Sequence, residues 1–266
     1  YVNFYKQNGG IPYDTNQNSI EHDEPWHNGR TNHYAFDLNR DWAWVTQTET
    51  KNRISKFNDW LPHIHVDFHE QGINSPYYFA PAVEPYHDVV SKFQREFQEI
   101  IGRNHAKYFD EKGWLYFTKE KFDLLYPSYG DTYPMFLGSI GMTYEQAGGG
   151  IAGLGVRNDE NTEVTLKDRI EHHHVTGVST VEMAAKFRIL LNKNYQSFFD
   201  NKNVKHKNFV FEGNKNKINS LADFFKKHKI ISKKLSENTS IRGYDYQMQE
   251  NKSTEFAKNS LVIPTN

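Results

Sequence analysis

His63-Ile64-His65-Val66-Asp67-Phe68-His69 is the stretch that decides the fold, because its side chains alternate without a break. Ile64, Val66 and Phe68 turn one way, while His63, His65, Asp67 and His69 turn the other. Period-two alternation of this kind means a strand with one face in a core and the opposite face loaded with imidazoles and a carboxylate. Working backward, Leu61-Pro62 stops a polar helix predicted over residues 46–60. A turn-rich opening with Asn8-Gly9-Gly10 and Asn28-Gly29 comes before it and leads into a short strand predicted at 33–38. Working forward, Val89, Phe93, Phe97, Ile100 and Ile101 recur at helical spacing within 86–109. Residues 138–144 read as a buried strand and 164–192 as a long helix. Strands alternating with helices predict an α/β fold, a three-layer sandwich with a mixed, largely parallel sheet.

Charge divides the chain. Residues 201–266 carry thirteen Lys and Arg against six Asp and Glu, a surplus of +7, and residues 1–200 carry -8. The shift falls in the Asn- and Lys-rich run at 192–208, so a first domain is expected over 1–200 and the beginning of a small C-terminal accessory α/β domain over 201–266. In the latter, strands are predicted at 208–212, 230–231 and 261–263, with an amphipathic helix at 217–227. The lysines there are scattered and no nucleic-acid-binding motif accompanies them, so no nucleic-acid partner is expected. No run approaches the roughly 20 apolar residues of a membrane span. A composition that is 37% apolar and 15% aromatic suits a globular core. The chain has no cysteine, so a metal could be held only by His, Asp and Glu. It opens at Tyr1 without an initiator methionine and stops at Pro264-Thr265-Asn266, which reads as an internal fragment.

In open α/β sheets ligands collect beyond the carboxyl ends of strands, where His69 and Glu145 are both predicted. His69 offers a metal ligand, or else a strand-end imidazole bonded to a carbonyl. Glu145 offers a general base, or else a salt-bridge partner, and the flexible Gly148-Gly149-Gly150 follows it. Arg40 beside Asn39 presents a guanidinium fork and an amide donor, a match for a carboxylate; its plainer reading is an ion pair with Asp37 or Asp41. Two histidine clusters compete. His172-His173-His174 lies on a helix, where successive side chains diverge by about 100°, and reads as helix surface plus one packed ring. His63 and His65 share a strand face and are spaced to bridge an ion, with Asp67 more suited to orient His69 as an outer acceptor.

The run from Gly29 through Arg30, Phe36-Asp37-Leu38-Asn39-Arg40-Asp41-Trp42, followed by Asp67-Phe68-His69-Glu70 and Thr143-Tyr144-Glu145-Gln146, resembles the M14 family of zinc carboxypeptidases over roughly residues 1–191. The resemblance implies that Asn39 and Arg40 bind the terminal carboxylate of a peptide, that His69 is a zinc ligand and that Glu145 is the catalytic glutamate. Arg30 is the candidate for polarising the scissile carbonyl, and Tyr126 or Tyr129, with Tyr126 favoured, for covering the substrate. It also implies one zinc ion and a secreted or periplasmic protein. The family's other two zinc ligands form a His-x-x-Glu motif, which does not occur in these 266 residues and is expected upstream of Tyr1. The fragment alone is therefore expected to be inactive. The alternative is a zinc-free relative that binds C-terminal carboxylates of peptides or cell-wall stems without cleaving them.

Overall fold

The alternating stretch forms strand β1 (Ile64–Gln71), and the structure in which it sits is a computed structural model describing residues 13–19, 22, 29–149, 153–200 and 204–265. Asn8-Gly9-Gly10, Asn28 and Gly150 lie outside those residues. Contacts divide the chain into two compact units, Tyr1–Ala43 with Leu61–Phe198, and Trp44–Trp60 with Phe199–Asn266.

Helix α1 (Thr48–Trp60) comes first along the chain and groups with the second unit. The first unit continues with β1, β2 (Tyr77–Tyr78), β3 (Val83–Tyr86), α2 (Lys92–Lys112), β4 (Tyr116–Phe117) and β5 (Asp123–Leu124). The short α3 (Thr132–Met135), β6 (Ile140–Ala147), β7 (Gly155–Arg157), β8 (Glu163–Thr165), α4 (Leu166–Lys186) and α5 (Arg188–Phe198) complete it. Its main sheet has the order β1-β6-β2-β4, with β1 parallel to β6, β2 parallel to β4, and β2 antiparallel to β6. This is an α/β fold built on a mixed, largely parallel sheet, as the alternation of elements predicts.

Every residue of β6 is buried. Ile140, Met142 and Tyr144 turn toward Phe97, Ile101 and Phe109 of α2 and Met183 of α4, which form the main core with Tyr77 and Phe79. Both helices begin on a capping box. Ser91 exchanges bonds with Gln94 ahead of α2, and Thr165 does so with Asp168 ahead of α4, which satisfies amide groups that the first turn leaves open. Gly113 ends α2 at φ 67°, where a residue without Cβ is least strained.

Three local expectations are corrected. Residues 33–38 do not form a strand: apart from a single bridge between Thr31 and Asp37, they form a turn leading into a 3-10 helix at Leu38–Arg40. Side chains take over the backbone there, with Asn32 Oδ1 accepting from the amides of Tyr34 and Phe36, and Asp37 Oδ1 from that of Asn39. The long helix at 164–192 is preceded by β8 and broken into α4 and α5 at Phe187, whose ring packs edge-on against Phe97 at 5.7 Å.

The third correction lies in the second unit. Ile230 and Ile231 are exposed and form no strand, because the Ile230 amide closes the helix before it by donating to Phe225 O at 2.9 Å. That unit contains β9 (Asn208–Phe211), α6 (Lys215–Lys227), β10 (Lys233–Lys234), β11 (Thr239–Asp245), β12 (Glu250–Phe256) and β13 (Leu261–Pro264). Its small sheet runs β10-β13-β9, and β11 and β12 form a separate hairpin. The α1 segment joins it through Trp44, whose ring is 6.4 Å from Phe224, and through Asp59, which pairs with Lys229.

Candidate active site

The parallel pairing of β1 with β6 sets His69 opposite Glu145 and Asp67 opposite Thr143. Alternation puts Gly141, Thr143 and Glu145 on one face of β6, beside His65, Asp67 and His69 of β1. Neither His69 nor Glu145 closes its strand as expected, since β1 continues to Gln71 and β6 to Ala147. The extra residues hold the two side chains on continuously paired backbone.

His69 Nε2 lies 2.8 Å from Asp67 Oδ2. Burial works against a charge on His69, but the bond to Asp67 and the charges of Asp67 and Glu145 outweigh it and raise its pKa above the ordinary value. For Asp67, burial opposes ionisation and is outweighed by the bond to His69, which lowers its pKa. Glu145 is only 8% exposed, and burial lifts its carboxyl to about 7; His69 and Arg30 pull it down, while Asp67 and Asp131 push it up. Arg30 is therefore within electrostatic reach of both His69 and Glu145.

A loop behind this face completes it. The backbone of Asp131 passes so close to β6 that a Cβ at position 141 would collide with its carbonyl, which explains a glycine in the middle of a buried strand. Thr143 Oγ1 donates to Asp131 Oδ2 at 2.8 Å, and Thr132 Oγ1 lies 3.1 Å from Oδ1. Burial nevertheless raises Asp131 to about 6. One residue earlier, the Gly130 amide donates to Asn39 Oδ1 at 2.8 Å. Asn39 Nδ2 in turn donates to Asp67 Oδ2 at 3.1 Å and lies 2.8 Å from His69 Nε2. Ser128 joins the same two segments, its hydroxyl donating to Arg40 O at 2.8 Å and accepting from the Ala43 amide at 2.9 Å.

The arginines and tyrosines form the rim. Arg30 pairs with Asp37 at 2.9 Å, while Arg40, 44% exposed in its side chain, is 4.0 Å from the same carboxylate. The Arg40 guanidinium sits 4.3 Å over the ring of Tyr129, which meets the Tyr126 ring edge-on at 5.1 Å. All seven residues expected at the site, Arg30, Asn39, Arg40, His69, Tyr126, Tyr129 and Glu145, are thus linked through one set of contacts or charges.

The competing histidines pack against other rings and polar groups. His63 packs against Tyr195 with ring centres 4.5 Å apart, and His65 meets Trp42 edge-on at 5.2 Å. Of the helical triplet, two rings are packed and not one: His173 Nδ1 is 2.8 Å from the Tyr77 hydroxyl, His172 Nδ1 is 2.6 Å from Gln146 Oε1, and His174 is exposed.

Asp131, Gly130, Ser128 and Thr143 complete the arrangement without having been singled out as site residues. The signal for the first three lies in Ser128-Tyr129-Gly130-Asp131, where a glycine between a tyrosine and an aspartate marks a close approach of backbone to side chains.

Comparison with family models, curated proteins and solved structures gives no match. A metal-bound histidine commonly gives its second ring nitrogen to a carboxylate, which is the relation of His69 to Asp67. Among the described residues, however, no three His, Asp or Glu side chains converge to hold a metal ion. The described residues fit one candidate ligand, His69, with Asp67 as its outer acceptor, and do not by themselves form a zinc site.

Proposed function

We propose that this chain carries the general base and the substrate-binding residues of a zinc metallocarboxypeptidase, acting on C-terminal peptide or peptide-like amide bonds. The observation that carries the reading is the buried Glu145, in register with a carboxylate-backed His69 and raised to about 7, where a carboxyl can both take and return a proton near neutral pH. A zinc ion held by His69 and further ligands would supply a water acidified toward a pKa of about 7. Glu145 accepts the proton of the attacking water and delivers it to the leaving amine. Arg30 stabilises negative charge developing on the scissile carbonyl oxygen. Arg40, exposed at the rim, takes the substrate's terminal carboxylate and so selects chains with a free C-terminus. Tyr126 and Tyr129 flank it with apolar surface for the last side chain. A secreted or periplasmic site of action belongs to the same proposal. Among the described residues, no helix is long and apolar enough to cross a membrane.

Turnover of an N-blocked dipeptide by the intact, zinc-loaded protein tests the reading. Glu145→Gln is expected to lower kcat by about a hundredfold or more. Turnover near wild type would contradict the role of Glu145. Carboxylate binding in an intact protein that has no hydrolytic activity would move the reading to the zinc-free binding module.

A further inference from the structure

We propose that Asn39 is a positioning residue, whose side-chain amide holds the Asp67 carboxylate against His69 and fastens the 126–130 segment to that pair. Both ends of the amide are engaged. Its Oδ1 accepts the Gly130 N–H at 2.8 Å, and its Nδ2 donates to Asp67 Oδ2 at 3.1 Å. The same carboxylate oxygen is 2.8 Å from His69 Nε2, which also lies 2.8 Å from Asn39 Nδ2, so with the ring proton on Nε2 both nitrogens donate to one oxygen. Turning the amide over would set Nδ2 against the Gly130 N–H and Oδ1 against an ionised carboxylate, which fixes its orientation. Packing closes the arrangement, because a Cβ on Gly130 would collide with Asp67 Oδ2 and lie 2.8 Å from Asn39 Oδ1. The backbone is held too, with the Asn39 amide donating to Asp37 Oδ1 at 2.9 Å.

Two consequences follow. With Nε2–H directed at Asp67, the lone pair of His69 stays on Nδ1, so Asn39 acts through Asp67 on which nitrogen of His69 can serve as a ligand. Recognition of a substrate carboxylate then falls to Arg40, whose guanidinium lies open above Tyr129, a division of labour that rests on the carboxypeptidase reading. The geometry of Asn39 itself does not depend on that reading.

The test is the ring tautomer of His69 in the full chain, read from its nitrogen chemical shifts above the pH at which the ring loses its charge, with the signal assigned by His69→Gln. Wild type is expected to show the Nε2–H tautomer alone. Asn39→Leu, which keeps the size but removes both the donor to Asp67 and the acceptor for the Gly130 amide, is expected to give a mixture of both tautomers. Gly130→Ala keeps the Asn39 side chain but crowds both its Oδ1 and Asp67 Oδ2, and is expected to do the same, so the test survives if one variant fails to fold. Arg40→Met is expected to keep the wild-type signature. An unchanged tautomer in the folded Asn39 and Gly130 variants overturns the proposal. In parallel, binding of an N-acetyl amino acid is expected to weaken by about tenfold or more in Arg40→Met and by no more than about threefold in Asn39→Ala. Equal losses in the two variants also overturn it. If wild type binds the N-acetyl amino acid no better than its amide, the carboxypeptidase reading fails while the tautomer still decides the role of Asn39.

Discussion

The two faces of β6 are both buried and are held by opposite means. On one face Ile140, Met142 and Tyr144 join an apolar core in which burial itself is favourable. Even the polar group among them, His105, is neutral: burial lowers it to about 3, and its ring bridges Ser179 and Tyr144 at 2.7 and 2.8 Å. On the other face Gly141, Thr143 and Glu145 meet Asp131, Asp67 and His69, where burial opposes each charge; hydrogen bonds work against it at Asp131, Asp67 and His69, and the charges of His69 and Arg30 at Glu145. One strand therefore carries an apolar core on its even residues and a polar, titratable cluster on its odd ones. A buried carboxyl raised to about 7 is destabilising at neutral pH, which fits a functional role better than a structural one.

The apolar face should give the larger losses. Met142→Ala removes a fully buried side chain and is expected to cost about 2–5 kcal/mol in urea unfolding. A loss below about 1 kcal/mol would mean that the helices do not rest on β6 as described.

The polar face should respond to pH in the reverse sense. Glu145 titrates at about 7 in the folded chain against an ordinary 4.5, so the folded state binds its proton more tightly and stability falls as pH rises through that window. Asp131, at about 6 against 3.8, adds a fall of the same sign over its own window. His69, raised above 6.5, contributes stability that is complete below that value and lost as pH rises through its folded pKa. Asp67, lowered, contributes in the opposite direction only in acid, below the ordinary carboxylate value. Stability is thus expected to decline from pH 5 to pH 8, and Glu145→Gln should reduce that decline by up to about 3 kcal/mol. Parallel declines in the two proteins would remove Glu145 as a source of the slope.

The smallest contrast lies on α4. His173→Ala strips a partner from the Tyr77 hydroxyl and is expected to cost about 1 kcal/mol, whereas the exposed His174→Ala should stay within about 0.5 kcal/mol of wild type. Equal effects would mean that the two rings do not differ in packing.

What the sequence made legible was local and periodic. The alternation of 63–69 and the apolar spacing of 86–109 led to β1 and α2, and the strand patterns placed His69 and Glu145 near the ends of two strands. That the two strands are neighbours in register was not encoded in any local pattern, nor was the grouping of α1 with residues 199–266. The 33–38 segment misled because Asn32 and Asp37 bond to nearby backbone amides and turn what reads as a strand into a loop. The Asn39 to Asp67 bond spans 28 residues and the Gly130 to Asn39 bond 91, distances at which composition and spacing carry no signal. The residues missed at the site, Ser128, Gly130, Asp131 and Thr143, are those whose role exists only through such contacts.

The central claim is that Glu145 is a proton acceptor poised by burial on the polar face of β6. Its own titration, followed through the side-chain carboxyl carbon resonance in the full chain and assigned by Glu145→Gln, tests that most directly. A midpoint near 7 is the predicted result. A midpoint near the ordinary glutamate value of 4.5 would contradict the account, leaving Glu145 a solvated carboxylate with no reason to act as a base.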